Sequence, residues 1–159
     1  MKLRVGHGFD AHRLVLGRPF VLGGITIPFE RGPFGHSDAD VAAHALADAI
    51  LGACALGDLG EHFPDTDPAW RDADSMRLLE ACVAMARERG FEIGNVDVTV
   101  VVELPKLAPY LARIRARLAD VIRIEVDEVS VKAKTSEGMG YTGDGTGIAA
   151  YAVAILVGT

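Results

Sequence analysis

The run from Gly35 to Leu51, GHSDADVAAHALADAIL, constrains this chain more than any other stretch. From about Asp38 it reads as a helix with Ala, Leu, Ile and Val on nearly every face, the pattern of a helix enclosed by the rest of the fold. One polar stripe interrupts it. Asp40, His44 and Asp48 recur every four residues, so they stay within a narrow arc of one side. Burying two carboxylates and an imidazole without partners is costly. The stripe therefore requires a hydrogen-bond network or a metal ion.

Residues 3–13 alternate as a first strand, and Gly23-Gly24 between two short apolar runs predicts a hairpin with a primed turn. The central helix is expected to end around Gly57, followed by a loop over 57–71 broken by Gly60, Pro64 and Pro68. Asp74 and Ser75 offer caps for a second helix, with Leu78, Leu79, Cys82 and Ala86 on one side and Gly90 as its stop. A strand over 95–102 precedes a helix that Pro105 opens and that runs to about Asp120, with Leu107, Leu111, Ile114 and Leu118 inward. Residues 129–134 and 148–157 complete the strands. Helices and strands intermix without strict alternation, which predicts an α+β fold: one mixed sheet with helices on one face, residues 1–159 forming a single domain. The other face needs a cover. Few charges interrupt the last strand, and Ala149, Ala150, Ala152 and Ala154 are small, so packing through the sheets into a homo-oligomer is expected.

A formal charge of −6 and a pI near 5.3 argue against nucleic acid or an anionic membrane as partner. Cys54 and Cys82 sit inside apolar helical patterns, which disfavours a disulfide scaffold and suits a reducing cytoplasm. The first residues lack a signal-peptide core, and no apolar run reaches the length of a membrane span.

Asp10 and His12 share parity on the first strand, whereas His7 points the other way. Together with His44 they supply three N/O ligands, the number a catalytic zinc uses while keeping a fourth position open. Asp40 or Asp48, one turn either side of His44, is placed to fix its second ring nitrogen. Spacing alone leaves a metal site and a pair of satisfied core histidines equally open. His36 and Ser37 precede the central helix, whose first amides attract anions, so His36 reads as a phosphate contact and Asp38 as the N-cap. The loop around Asp58 reads as solvated, with Asp58 able to accept from polyol hydroxyls. Gly138, Gly140 and Gly143 spell G-x-G-x-x-G, but a strand follows instead of a helix, which excludes a dinucleotide fingerprint. A backbone-amide and hydroxyl cradle for phosphates fits better, with Thr135 and Ser136 as donors and Glu137 holding a hard divalent ion; a flexible hairpin is the alternative.

Taken together, the segments Gly6-His7-Gly8-Phe9-Asp10-x-His12, His36-Ser37-Asp38-x-Asp40-Val41-Ala42-x-His44, Ala55-Leu56-Gly57-Asp58-Leu59-Gly60, Phe63-Pro64-Asp65-Thr66-Asp67-Pro68, Gly94-Asn95-Val96-Asp97-Val98-Thr99, Pro105-Lys106 and Val131-Lys132-Ala133 resemble the 2-C-methyl-D-erythritol 2,4-cyclodiphosphate synthase family of the non-mevalonate isoprenoid pathway. The likeness spans nearly the whole chain. It implies a cytoplasmic homotrimer with active sites at subunit interfaces. There the 2-phosphate of 4-diphosphocytidyl-2-C-methyl-D-erythritol 2-phosphate attacks the β-phosphorus and releases CMP, a phosphorus–oxygen lyase reaction without a protein nucleophile.

By the same resemblance Asp10, His12 and His44 hold Zn²⁺, which polarises the β-phosphate, and Glu137 holds Mg²⁺ or Mn²⁺ across the α- and β-phosphates. His36 and Thr135 stabilise the transition state, and Ser37 lies beside the phosphate. Asp58, Leu59 and Gly60 contact the methylerythritol, bordered by Phe63, Pro64, Asp65, Thr66 and Asp67. Val102, Lys106, Leu107, Ala108, Lys134, Thr135 and Ser136 form the cytidine end from a neighbouring subunit. Two other readings are a zinc phosphohydrolase using metal-bound hydroxide and a non-catalytic zinc-stabilised trimer that binds isoprenoid diphosphates.

Two positions depart from the family pattern. Lys134 stands where Thr is frequent, adding a cation near the phosphates. After Tyr141 this chain carries Asp144 where relatives often have an Arg that helps an axial cavity hold isoprenoid diphosphates. A carboxylate there repels a diphosphate. Titration calorimetry with geranyl diphosphate is therefore expected to show weak binding, and tight binding would overturn the expectation.

Overall fold

A computed structural model describes residues 1–159. Its central ladder joins β1 (Leu3–Leu16) antiparallel to the last strand, β7 (Gly147–Gly158). On the far side of β7 runs β5 (Phe91–Val101), antiparallel to it, with β6 (Val129–Lys134) parallel to β5 at one edge. The short β4 (Arg31–Phe34) pairs with β1 at the other edge, giving the order β4-β1-β7-β5-β6. A separate hairpin joins β2 (Phe20–Leu22) to β3 (Ile25–Ile27), and its two turn glycines have φ of 55° and 75°, as a primed turn demands.

Three helices cover one face. The first, α1 (Val41–Ala53), lies on β1 and β7; α3 (Ser75–Glu88) packs beside it; and α4 (Leu111–Ile122) covers β6 and touches α3. Ten of the thirteen residues of α1 are buried, the enclosed helix its composition predicts. Cys54 and Cys82 are both buried and unpaired, and burial pushes the Cys82 thiol up to about 12, so it stays a protonated packing residue.

The close seating of α1 depends on β1 having no side chains beneath it. A Cβ on Gly6 would stand 1.7 Å from the Ala49 carbonyl oxygen, and one on Gly8 would stand 1.8 Å from that of Ala45. Across the ladder, Gly6 and Gly8 pair with Ala154 and Ala152, also fully buried. These alanines therefore lie under α1, and the reverse face of the sheet carries larger groups instead. Val5, His7, Phe9, Tyr151 and Val153 are exposed there, with the Phe9 and Tyr151 rings 5.1 Å apart.

Several boundaries differ from the sequence expectation. Helix α1 starts at Val41, because Asp40 and not Asp38 is its N-cap, accepting from the Ala43 amide at 3.1 Å. It stops at Ala53, before Ala55 turns left-handed at φ 57°. The loop over 57–71 contains the four-residue helix α2 (Leu59–His62), capped by Asp58, and a 3-10 turn at Pro68–Trp70. The helix expected from Pro105 begins at Leu111, after a 3-10 turn at Ala108–Tyr110. A short helix, α5 (Gly140–Gly143), interrupts the glycine-dense turn.

Replacing Gly8 by Ala forces its methyl into the α1 backbone, where nothing flexible can yield. Gly8→Ala is expected to lower the unfolding free energy by ~3 kcal/mol, at the upper end of overpacking costs, as measured by urea denaturation.

Candidate metal centre and cleft

The alternation of β1 sends Gly6, Gly8, Asp10 and His12 to the face beneath α1. Where the glycines end, the gap between strand and helix is filled by polar groups. Asp10 Oδ2 lies 2.8 Å from His12 Nε2 and 3.1 Å from His44 Nδ1. One ligand atom from each of the three residues falls within 4.8 Å of the others, and the side chains are between 14% and 24% exposed.

The proton inventory of this cluster decides its chemistry. His12 Nδ1 sits 3.0 Å from the Phe34 carbonyl, which can only accept, so Nδ1 carries the hydrogen and Nε2 presents a lone pair. That Nε2 is buried and has no aligned hydrogen bond despite its closeness to Asp10. Two hydroxyls face the far side of His44: Nε2 is 2.8 Å from Ser75 Oγ and 3.2 Å from Ser37 Oγ. Ser75 gives its proton to Asp38, so His44 Nε2 donates, and in the neutral ring Nδ1 presents a lone pair. Three acceptors thus converge on one point, an arrangement that calls for a cation. Two imidazoles and a carboxylate at this separation fit a tetrahedral divalent ion with one position left for water or ligand oxygen. Burial by itself would raise the Asp10 carboxyl, but the His12 and His44 imidazoles beside it outweigh burial and hold Asp10 below the usual range.

The polar stripe of α1 does not act as one unit. Four residues advance a helix by about 400°, so each member is rotated about 40° from the last and the ends lie about 12 Å apart. Asp40 turns to the β2–β3 hairpin, accepting from the Gly23 and Gly24 amides at 2.9 and 2.8 Å. Asp48 accepts from the Leu59 amide at 2.7 Å and anchors α2. Neither orients His44; that falls to Ser75 and Ser37, which sequence spacing does not single out. Around the start of α1 the amides of Asp38, Ala39, Asp40 and Ala43 are committed within the protein.

A cleft of about 920 Å³ opens from the three-residue cluster. It gathers Asp10, His12, His36, Ser37, His44, Asp58, Leu59, Gly60, Phe63 and Asp65, all singled out from sequence, around one space. His36 places Nε2 3.0 Å from the Asp67 carbonyl, and Phe63 meets Trp70 edge-on at 4.8 Å. Pro64, Thr66 and Asp67 lie just outside the lining, Asp67 capping the Pro68–Trp70 turn. Sequence reading missed Arg18, Trp70 and Arg71, which also line the cleft. Arg18 straps the connection from β4 to α1, donating from Nε to Pro33 at 2.8 Å and from Nη2 to the Gly35 and Ser37 carbonyls. No local motif marks it, because its partners are backbone atoms fifteen or more residues away.

The remaining candidates lie elsewhere in the same chain. Ladder pairs Ala11–Ala149, Val101–Ala149 and Val101–Lys134 put the end of β6 at the height of the cluster but three strands across, roughly 14 Å away. Thr135, Ser136 and Glu137 follow directly from that end, and Glu137 belongs to no three-ligand cluster within the chain. Val102 and Leu107 are buried, while Lys106, Ala108 and Lys134 are exposed. Tyr141 faces a smaller cleft with Arg13 and Arg31. Asp144 is exposed, and the Thr146 hydroxyl and amide hold its carboxyl below the usual range.

Comparison with known proteins places these features in a family. The model of the YgbB family matches residues 3–157. A curated 2-C-methyl-D-erythritol 2,4-cyclodiphosphate synthase from Trichlorobacter lovleyi is 53% identical over 98% of this chain and 99% of its own length. One from Geobacter metallireducens is 55% identical over 97% and 98%. Among solved structures, a CDP-bound 2C-methyl-D-erythritol-2,4-cyclodiphosphate synthase superposes with a TM-score of 0.90 at 38% identity, covering 97% of this chain and all of that one. The bifunctional IspDF from Campylobacter jejuni gives a TM-score of 0.96 at 39% identity over 99% of this chain, which spans 43% of that longer protein. With its converging Asp10, His12 and His44 and a match over almost its whole length, this chain belongs to the YgbB family, that of the 2-C-methyl-D-erythritol 2,4-cyclodiphosphate synthases.

Proposed function

We propose that the cleft converts 4-diphosphocytidyl-2-C-methyl-D-erythritol 2-phosphate to 2-C-methyl-D-erythritol 2,4-cyclodiphosphate and CMP, as a phosphorus–oxygen lyase of isoprenoid biosynthesis in the cytoplasm. The observation that carries this reading is the three-acceptor cluster opening into a cleft large enough for a phosphorylated polyol. Curated relatives at 52–55% identity bear that enzyme's name, and two solved neighbours are described as bound to CDP. A zinc ion held by Asp10, His12 and His44 would act as a Lewis acid on the transferring phosphoryl group.

The chain's own residues set up the rest. The reaction joins two ends of one molecule, an oxygen of the 2-phosphate forming a bond to the β-phosphorus as the bond to CMP breaks. The protein needs only to hold those ends in line and shield their charge. Asp58, Leu59 and Gly60 line the side of the cleft suited to polyol hydroxyls, and Ser37 and His36 line the side next to the cluster. The His36 Nε2–H on the Asp67 carbonyl fixes the ring and leaves Nδ1 for the ligand.

Glu137 with a magnesium or manganese ion, Thr135 as transition-state donor, and the cytidine contacts at Val102, Lys106, Leu107, Ala108, Lys134 and Ser136 belong to the same site when a neighbouring copy supplies them. Two observations support a homotrimer of this single-domain chain: the exposed Val5, Phe9, Tyr151 and Val153 on the uncovered sheet face, and the three-strand separation of Glu137 from the cluster.

Protein stripped of metal by a chelator is expected to release no CMP from the cytidyl substrate, and zinc plus magnesium to restore release, read by mass analysis of the products. His44→Ala lowers turnover by about 10³-fold, the several kcal/mol a Lewis-acid cation contributes. In ¹⁸O-labelled water the cyclic product gains no label; label in the product identifies a phosphohydrolase instead. Subunit complementation tests the shared site. His44→Ala and Glu137→Ala are each inactive alone, and co-refolded in equal amounts they recover roughly a quarter of wild-type activity, the share of interfaces pairing an intact cluster with an intact Glu137. No recovery places both groups on one chain's site.

A further inference from the structure

The hydroxyl of Ser75 is the first residue of α3, yet it is not needed to cap that helix: Asp74 is the cap, accepting from the Met76 amide at 2.9 Å. Ser75 is 1% exposed, and its Oγ is placed between His44 Nε2 at 2.8 Å and Asp38 Oδ1. Asp38 is itself held from several sides. Its Oδ2 accepts from the Ser75 amide at 3.0 Å and its Oδ1 from the Asp40 amide at 3.2 Å. Both oxygens of Asp38 face donors, so they act here as acceptors. The order of donors is then fixed: Asp38 takes the Ser75 proton, and Ser75 Oγ takes the His44 Nε2–H. Reversing it requires a protonated Asp38 with amides pointed at its oxygens.

We propose that Asp38 and Ser75 form a one-way hydrogen-bond relay that fixes the tautomer and ring angle of His44, turning its Nδ1 lone pair toward Asp10 and His12. Ser75 is a positioning residue that acts through His44. The relay runs from the loop ahead of α1 through the start of α3 to the first turn of α1, so it also locks together the two helices that flank the cleft. Ser37 Oγ is the other hydroxyl near His44 Nε2, but at 3.2 Å and with the Ala39 amide already donating to it, it is the weaker partner. The inference rests on the reading that Asp10, His12 and His44 hold a divalent ion.

The test compares Ser75→Ala with wild type and with Ser37→Ala. Ser75→Ala removes the relay oxygen while leaving the Ser75 amide on Asp38 and the Asp74 cap in place. Zinc affinity, measured by competition with a chromophoric chelator, is expected to fall about 10- to 100-fold, the range for loss of a metal ligand's hydrogen-bonded partner. Two further readouts do not respond to general loosening. The visible absorption bands of the cobalt-loaded protein shift, and in zinc-loaded protein with ¹⁵N-labelled histidine the slowly exchanging His44 Nε2–H resonance disappears. The urea unfolding midpoint of the metal-free protein changes little. Asp38→Asn, which keeps an acceptor for the Ser75 amide, shows a smaller loss of the same sign. Wild-type zinc affinity and a retained Nε2–H signal in Ser75→Ala overturn the relay, as does a loss confined to Ser37→Ala. Failure of the wild-type protein to bind zinc overturns the metal reading itself, and the relay with it.

Discussion

The structure depends on how closely the backbone of α1 approaches that of β1. Gly6 and Gly8 let helix carbonyls occupy the space a methyl group would fill, and Ala152 and Ala154 on β7 continue the same floor. A helix seated this low brings His44 within hydrogen-bonding distance of Asp10, one residue pair beyond the glycines on the same strand face. Were the helix lifted by even one methyl layer, the imidazole of His44 and the Asp10–His12 pair would face each other across a gap instead of sharing a centre. Packing and chemistry are therefore set by the same contact.

What the cluster does follows from where its hydrogens are. Each imidazole has one nitrogen assigned to a fixed partner, the Phe34 carbonyl for His12 and the Ser75 hydroxyl for His44, which leaves the opposite nitrogens without protons and pointed at a carboxylate. Such an arrangement is unfavourable by itself and favourable around a positive ion. The fold contributes orientation, each imidazole being held by a hydrogen bond on its far nitrogen.

Much of this was legible in the sequence. The parity of Asp10 and His12 follows from strand geometry, the paired glycines at 23 and 24 declare their turn, and an alanine-rich helix with a single narrow polar stripe has to be enclosed. The polar stripe was misread as a unit because four-residue spacing places side chains on one side without saying what each meets. Asp40 found the β2–β3 hairpin, Asp48 found α2, and only His44 faced the cluster. Ser75 and Arg18 were beyond sequence reading because their partners are set by tertiary packing: Ser75 resembles any residue opening a helix, and Arg18 any exposed cation between glycine and proline. The segment from Lys134 to Glu137 was assigned to the site through family likeness, and a single chain holds it three strands from the cluster.

The strap formed by Arg18 has a consequence for long-range electrostatics. Its guanidinium is occupied by carbonyls of residues 33, 35 and 37 and rests over the Phe34 ring, and no carboxylate pairs with it. A full positive charge is thereby left uncancelled in the wall of a cleft that also presents Asp10, Asp48, Asp58, Asp65 and Asp72. Held by neutral dipoles beside Ser37, it offsets part of the negative field of those carboxylates without cancelling any one of them.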